Sequence, residues 1–299
     1  MNEKESHPRL RPDLAVIDML PDGVQLRAGD EEIHFISGPA GRVLAEVLRR
    51  MDGTIAAGEL HRGIAGALPE MVTELIASLR DRGLLVGTDD GGDLQLRYLG
   101  HFAATGDLPT AKIASAGGCE LANLIGRVLG EHGVQAVDVG REPAGAELVA
   151  AMVCAWERPD LAMVVARNGF AVGHKLPCLF VDLSHGLHAT LGPFFVPGEG
   201  ACYECFRRRL LENTAAHAEL KAAQEQMLAT GGSHPAFGTL AAHRHWLAGL
   251  AAGEIVAFVR GHRPLRTLNR TITIDLEALT MHAEPAWRVP WCVVCGGGR

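Results

Sequence analysis

The chain has 299 residues and a mass of 31.8 kDa, with 47% hydrophobic and 21% charged residues and a formal net charge of −7. This composition excludes wholesale disorder and fibrous structure, and at about 150 residues per domain the length suggests roughly two domains. The negative charge gives no general attraction to nucleic acid or anionic lipid, so neither is an expected partner.

Residues 1–12 are polar and Pro-bearing and read as a disordered tail. They contain no apolar run, so they are not a secretory signal. Three short apolar-alternating stretches follow: LAVIDML from Leu14, VQLRAG from Val24 and EEIHFI from Glu31. Pro21-Asp22-Gly23 and Gly29-Asp30 are turn signals between them, which predicts an antiparallel meander. Three helices are then expected. The first covers 39–51, with Val43, Leu44, Val47 and Leu48 at helical spacing. The second starts near Ile55 and carries Leu60, Ile64 and Leu68. The third runs from Pro69 to Arg82-Gly83, with Val72, Leu75, Ile76 and Leu79 inward. Leu84-Leu85-Val86 closes the set as a strand. This order predicts a winged helix-turn-helix over residues 13–88, with a glycine-rich linker at 87–93.

A second domain is expected over 94–299. It opens on an amphipathic stretch, Leu94 to Ala104. AKIASAGG (111–118), a helix from Glu120 to His132 and the strand VQAVDVG form a strand–helix–strand unit, the signature of a parallel α/β sheet. Further strands are predicted at Leu161–Ala166 and Leu179–Leu183, helices at 211–229 and 236–260, and a late strand at 267–276. The longest apolar run, Trp246 to Val259, is interrupted by Glu254, so no membrane span is expected and a cytoplasmic protein is the default.

Of seven cysteines, four form two pairs, Cys202-Tyr-Glu-Cys205 and Cys292-Val-Val-Cys295. In a reducing compartment such pairs are better read as metal ligands than as disulfides. Each Cys-x-x-Cys turn presents two thiolates to one ion, and two turns complete a tetrahedral shell that suits structural zinc. The wide separation of the pairs makes this a clip that pins the C-terminal segment to the middle of the domain. His174, His185 and His188 are expected to be surface or core residues rather than ligands.

The strand-to-helix turn Ser115-Ala116-Gly117-Gly118-Cys119-Glu120 has the position of a phosphate-binding loop but keeps only two glycines. Glu120 would set a negative charge where a phosphate meets the helix. Asp138, ending the next strand, could once have held a ribose hydroxyl. We therefore expect a degenerate nucleotide loop (Gly117, Gly118, Asp138), no ATP on this chain and no catalytic residue. Cys119 opens a helix, where a thiol can be activated, but packing is the expected role.

Several stretches resemble one family. Arg97-Tyr98-Leu99-Gly100-His101-Phe102 is similar to the helix that opens ubiquitin-activating-type adenylation domains, and AKIASAGG to a worn form of their glycine loop. LGPFFVPGEGACYECFRRRL (191–210) and ITIDLEALTMHAEPAWRVPWCVVC resemble the segments that carry the two cysteine pairs of the ThiF-like cyclodehydratase partner proteins. These are the leader-peptide-binding proteins of thiazole/oxazole-modified microcin (TOMM) biosynthesis, and the N-terminal segment resembles the RiPP recognition element they often carry. The resemblance implies a Rossmann-like ThiF domain with a structural zinc site of four cysteines. It also implies a leader-peptide-binding scaffold that presents a ribosomal precursor to a YcaO-type ATP-dependent cyclodehydratase for azoline or azole formation, and an expected homodimer. The alternative is an active ThiF-like enzyme that adenylates a peptide carboxyl terminus. Adenylating relatives need an Asp after the strand around Val164, where this chain reads Ala166-Arg167-Asn168-Gly169.

A winged helix could also read DNA, but residues 1–87 hold 10 Lys+Arg against 14 Asp+Glu, and a recognition helix needs cations for phosphates. A peptide could instead add as a strand along Glu31, Glu32, Ile33, His34, Phe35 and Ile36. Met71, Leu75, Ser78 and Arg82 of the third helix would line the adjoining groove. Of Ile33/Phe35 and Glu32/His34, which alternate along the strand, one pair must face the helices.

Overall fold

The computed structural model describes residues 6–19, 23–29, 32–38, 40–86, 112–138, 149–231, 238–261 and 264–296, in two compact units, Met1–His101 and Phe102–Arg299. The expected linker at 87–93, the stretch 94–104 and Glu31 lie outside the described residues.

In the first unit β1 (Arg9–Leu10) precedes a meander of β2 (Ala15–Met19), β3 (Gly23–Ala28) and β4 (Glu32–Ser37), antiparallel in the order β2-β3-β4. Helix α1 (Gly41–Arg49) and helix α2 (Pro69–Asp81) follow, then β5 (Leu85–Val86). Alternation in β3 sends Val24 and Leu26 into a core shared with Ala45, Val47 and Leu48 of α1 and Val72, Leu75, Ile76 and Leu79 of α2. Pro69 opens α2, and Gly83, at φ 68°, lets Leu84 N–H return to the Leu79 carbonyl at 2.9 Å and stop it.

Two expectations fail in this unit. The second helix is a single 3-10 turn, Ala57–Glu59, followed by turns. Gly63 and Gly66 take left-handed φ values of 76° and 86°, which an α-helix cannot contain, although Leu60 and Ile64 are still buried. The tail is also not wholly disordered. β1 pairs antiparallel with β5, and its apolar residue Leu10 is buried in the core.

The second unit is built on seven described strands: β6 (Lys112–Ala116), β7 (Gln135–Asp138), β8 (Ala151–Trp156), β9 (Cys178–Asp182), β10 (His188–Phe195), β11 (Arg270–Asp275) and β12 (Thr280–Pro285). Their order is β12-β11-β10-β9-β8-β6-β7. Pairings among β7, β6, β8 and β9 are parallel, and β10, β11 and β12 extend the sheet antiparallel. Its helices are α3 (Glu120–Glu131), α4 (Leu161–Gly173), α5 (Tyr203–Asn213), α6 (His217–Thr230) and α7 (Ala241–Val259). All six residues of β8 and all five of β9 are buried, as central parallel strands must be.

The predicted strand Leu161–Ala166 is instead the start of α4. A short apolar run does not distinguish a buried strand from a buried helix. The Asp160 carboxylate caps α4 by accepting Met163 N–H at 3.0 Å, and β8 already fills the strand position. Arg167 and Asn168 are thus buried helix residues, and the residues after the true strand are Glu157 to Asp160. The expected helix at 211–229 is two helices that break at Thr214. Among the described residues no helix is long and apolar enough to cross a membrane. Glu254, inside α7, is buried and accepts Thr267 N–H and Oγ1–H at 2.8 and 2.7 Å.

Candidate functional site

The fold brings the two cysteine pairs together. The sulfurs of Cys202, Cys205, Cys292 and Cys295 all lie within 4.8 Å of one another, and all four residues are buried. Sγ–Sγ separations are 3.8 Å for Cys202–Cys205, 3.7 Å for Cys202–Cys292 and 3.4 Å for Cys205–Cys295. These are too long for disulfides. A tetrahedron with metal–sulfur bonds of about 2.3 Å has edges of about 3.8 Å, so the donor set fits one zinc-sized ion. Each pair is shaped by its backbone. Cys202 caps α5, with Cys205 N–H returning to its carbonyl at 3.0 Å. Cys292 N–H bonds Val289 O, and Gly296 N–H bonds Cys292 O. A Cβ on Gly296 would overlap that Cys292 oxygen, so the turn after Cys295 requires glycine.

The Cys202 thiol donates to Cys205 Sγ, which pushes Cys202 up and Cys205 down from the ordinary thiol value. Val289 N–H, at 3.3 Å, also donates to Cys205 Sγ. His174, His185 and His188 are not in the cluster. His174 stacks on Phe170, His185 pairs with Asp182 at 3.0 Å, and His188 lies 3.8 Å from Asp275.

Sequence reasoning missed the support beneath this cluster. Glu204, between the first two cysteines, is 5% exposed and accepts Arg207 Nε and Nη2 at 2.8 and 2.9 Å and Arg208 Nε at 2.8 Å. Burial alone would raise the Glu204 carboxyl, but the two guanidiniums outweigh it and hold it below the ordinary value. Arginines three and four residues after a helical glutamate are a legible pairing signal.

At the glycine turn, Gly117 has φ 147° and passes so close to β8 that a Cβ would overlap the Ala155 oxygen. Glu157, at the end of β8, lies at the N-terminus of α3. Its Oε2 accepts Leu121 N–H at 3.3 Å, and its Oε1 accepts Arg244 Nε from α7. The chain's own carboxylate thus sits where this kind of turn would hold an anion. The partners are 87 residues apart, and no local pattern announces them. Burial pushes the Cys119 thiol up, which argues against an activated sulfur. Asp138 ends β7 and is exposed.

In the first unit β4 pairs with β3 and, among the described residues, with no other strand. Glu32, His34 and Ile36 are half-buried, while Ile33 and Phe35 are 49% and 51% exposed. The polar pair therefore faces inward. It does so because Arg11 donates to both Glu32 oxygens, at 2.9 and 2.7 Å, and His34 Nε2 lies 2.9 Å from Glu32 Oε1. On α2, Leu75 is core, Met71 is half-buried, and Ser78 and Arg82 are exposed. Among the described residues no hydrogen bond joins these α2 positions to β4.

No family model matches the chain, and no curated protein matches it. Solved structures do. A heterocyclase in complex with substrate and cofactor superposes with a TM-score of 0.73 at 18% identity, over 97% of this chain and 39% of that one. The heterocyclase TruD gives 0.71 at 22%, over 97% and 43%. The ATP complex of E. coli MccB gives 0.63 at 14%, over 97% and 99%. The fold is the one these proteins share. This chain spans about two-fifths of the length of the two heterocyclases and matches MccB over nearly its full length.

Proposed function

We propose that this chain is a leader-peptide-binding scaffold of ribosomal peptide modification, which holds a precursor and presents its core to a YcaO-type cyclodehydratase. The observation that carries the reading is the superposition of 97% of the chain on two heterocyclases, one of them solved with its substrate. The chain matches about two-fifths of those heterocyclases, and the YcaO-type partner is part of this proposal. The first unit is read as the RiPP recognition element. Its described part supplies an unpaired edge, β4, beside exposed Ile33 and Phe35. A leader segment added there would gain main-chain bonds from the edge and specificity from those side chains. The four-cysteine cluster is read as structural zinc, since four thiolates leave no open position for substrate. Zinc would fix the C-terminal segment onto α5 and supply no chemistry to substrate.

Fluorescence polarisation with the cognate leader tests the reading. Saturable binding that survives deletion of residues 95–299 is expected. Absence of binding by the full-length chain to any precursor encoded beside it overturns the proposal.

The MccB match favours a second reading, a peptide-adenylating enzyme, because it extends over nearly the whole of that protein. Glu157 at the start of α3 weighs against it, since an incoming phosphate would meet a carboxylate there. ATP–pyrophosphate exchange decides between the two. Background exchange is expected, and turnover dependent on peptide would establish adenylation.

A further inference from the structure

A groove of about 830 Å³ lies beside the cysteine cluster, outside both the glycine turn and the first unit. Its walls are α5 and α6, and its third side is the segment Val289-Pro290-Trp291, which the Val289 N–H ties to Cys205 Sγ of α5. Arg207, Arg208, Arg209 and Lys221 line it, with Glu212 and Glu225 as the acidic residues and Leu211 and Leu228 among the apolar ones. The lining therefore carries four cations against two carboxylates, with Glu204 beneath Arg207 and Arg208 as a third, a local excess of positive charge in a chain whose net charge is −7.

The three arginines are held in place. Arg207 is fixed by Glu204 and by Gln224, whose Oε1 accepts Nη1 at 2.6 Å. Arg208 gives only its Nε to Glu204 among the described residues, which leaves its outer nitrogens for a ligand. Arg209 Nε donates to the Trp287 carbonyl at 2.9 Å, and Lys221 is only loosely paired, 4.0 Å from Glu225. Trp291, which lines the groove, is 75% exposed, a large apolar side chain left open to solvent among the described residues. Arginine beside exposed tryptophan is the chemistry of interaction hot spots, and the volume suits a short segment.

We propose that this groove binds an acidic peptide segment, with carboxylates on Arg208, Arg209 and Lys221 and an apolar residue against Trp291. Charge complementarity selects that occupant. A nucleic-acid strand brings a charge at every nucleotide past Glu212 and Glu225, whereas a peptide can place its carboxylates singly. The inference is independent of the leader site on β4, and substitutions in different units separate the two.

The test is fluorescence anisotropy of the full-length, metal-loaded protein with a fluorescein-labelled nonapeptide of repeating Glu-Asp-Leu. The controls are its Gln-Asn-Leu counterpart, a ten-nucleotide oligothymidine and phosphatidylserine vesicles. Saturable binding of the acidic peptide, weakened at least tenfold by Lys221→Glu and by Trp291→Ala and unchanged by Phe35→Asp, is the expected result. Metal content of the Trp291→Ala protein is measured alongside, and Lys221→Glu lies off the cysteine-bearing segment. Absence of saturable binding, equal binding of the neutral peptide, indifference to Lys221→Glu, or tighter binding of the oligonucleotide or vesicles overturns the proposal.

Discussion

Glu157 and Arg244 close the start of α3 together: one carboxylate oxygen accepts the Leu121 N–H and the other the Arg244 Nε. Both side chains are largely buried, at 14% and 30% exposure. One of the free N–H groups at the start of α3, that of Leu121, is thus answered from within the chain by a carboxylate where an anion would otherwise be drawn.

Glu157→Ala and Arg244→Ala should each destabilise the second unit by about 1–2 kcal/mol, the scale of a carboxylate at a partly buried helix N-terminus. The double variant should fall well short of the sum, because both remove one interaction. All four tryptophans lie in this unit, so urea unfolding followed by tryptophan fluorescence reads it directly. Additive losses would show that the two residues act separately.

The cysteine cluster should hold one metal ion per chain by elemental analysis. Cys205→Ser should release it and lower the midpoint of thermal unfolding sharply, because a three-thiolate remnant loses much of the binding energy. A strong chelator should do the same to the parent protein and leave Cys205→Ser unaffected. A metal-free parent protein with the same midpoint would refute the zinc reading.

Glu204 should be the most sensitive carboxylate near the cluster. Glu204→Ala takes the shared carboxylate from Arg207 and Arg208, which water can reach from the groove, so the loss should be about 1.5–3 kcal/mol, the scale of hydrogen bonds to a charged group. The loss of metal on titration with chelator should occur earlier than in the parent, since α5 carries Cys202 as its cap and Cys205 in its first turn.

Glu32 gives the first unit an acid-sensitive contact. Arg11 holds its carboxyl below the ordinary value, against a smaller opposing effect of burial. A carboxyl lowered by folding stabilises above its unfolded value of about 4.3, and that stability fades as pH falls through the lower folded value. Glu32→Gln should therefore reduce the calorimetric stability of this unit near neutrality by about 1 kcal/mol, and by progressively less as the pH is lowered below about 4.3. A loss that does not shrink as the pH falls would rule out the ion pair as the cause.

His185 carries the opposite sign. The hydrogen bond to Asp182 raises its pKa from the ordinary value. Its contribution is present below about 6.5 and disappears as pH rises through the higher folded value. The imidazole resonances of His185 should titrate above the ordinary value in the parent and return toward it in Asp182→Asn.

The sequence was most legible where one chain segment decides its own structure. The meander, Pro69 and Gly83 at the ends of α2, and the strand–turn–helix from β6 into α3 all follow from local turn chemistry and periodicity. The two Cys-x-x-Cys turns predicted a shared cluster because their chemistry has few alternatives. Where packing chose between local options, reading failed. LAMVVA could be strand or helix until β8 filled the sheet, and the glycines at 63 and 66 broke a run whose apolar spacing still suited a helix. Leu10 lay in a polar tail and gave no sign that β5 would recruit it.

The N-terminal meander, the strand–turn–helix from β6 into α3, the punctuation by glycine and proline and the metal-ligand chemistry are written in this chain itself, because backbone sterics and thiolate donors act over a few residues. The inward turn of Glu32 and His34, the carboxylate laid across the start of α3 and the cationic groove beside Trp291 belong to the tertiary structure. Each depends on partners far apart in the chain, and only a folded core sets their distance and removes the water that would otherwise compete for them.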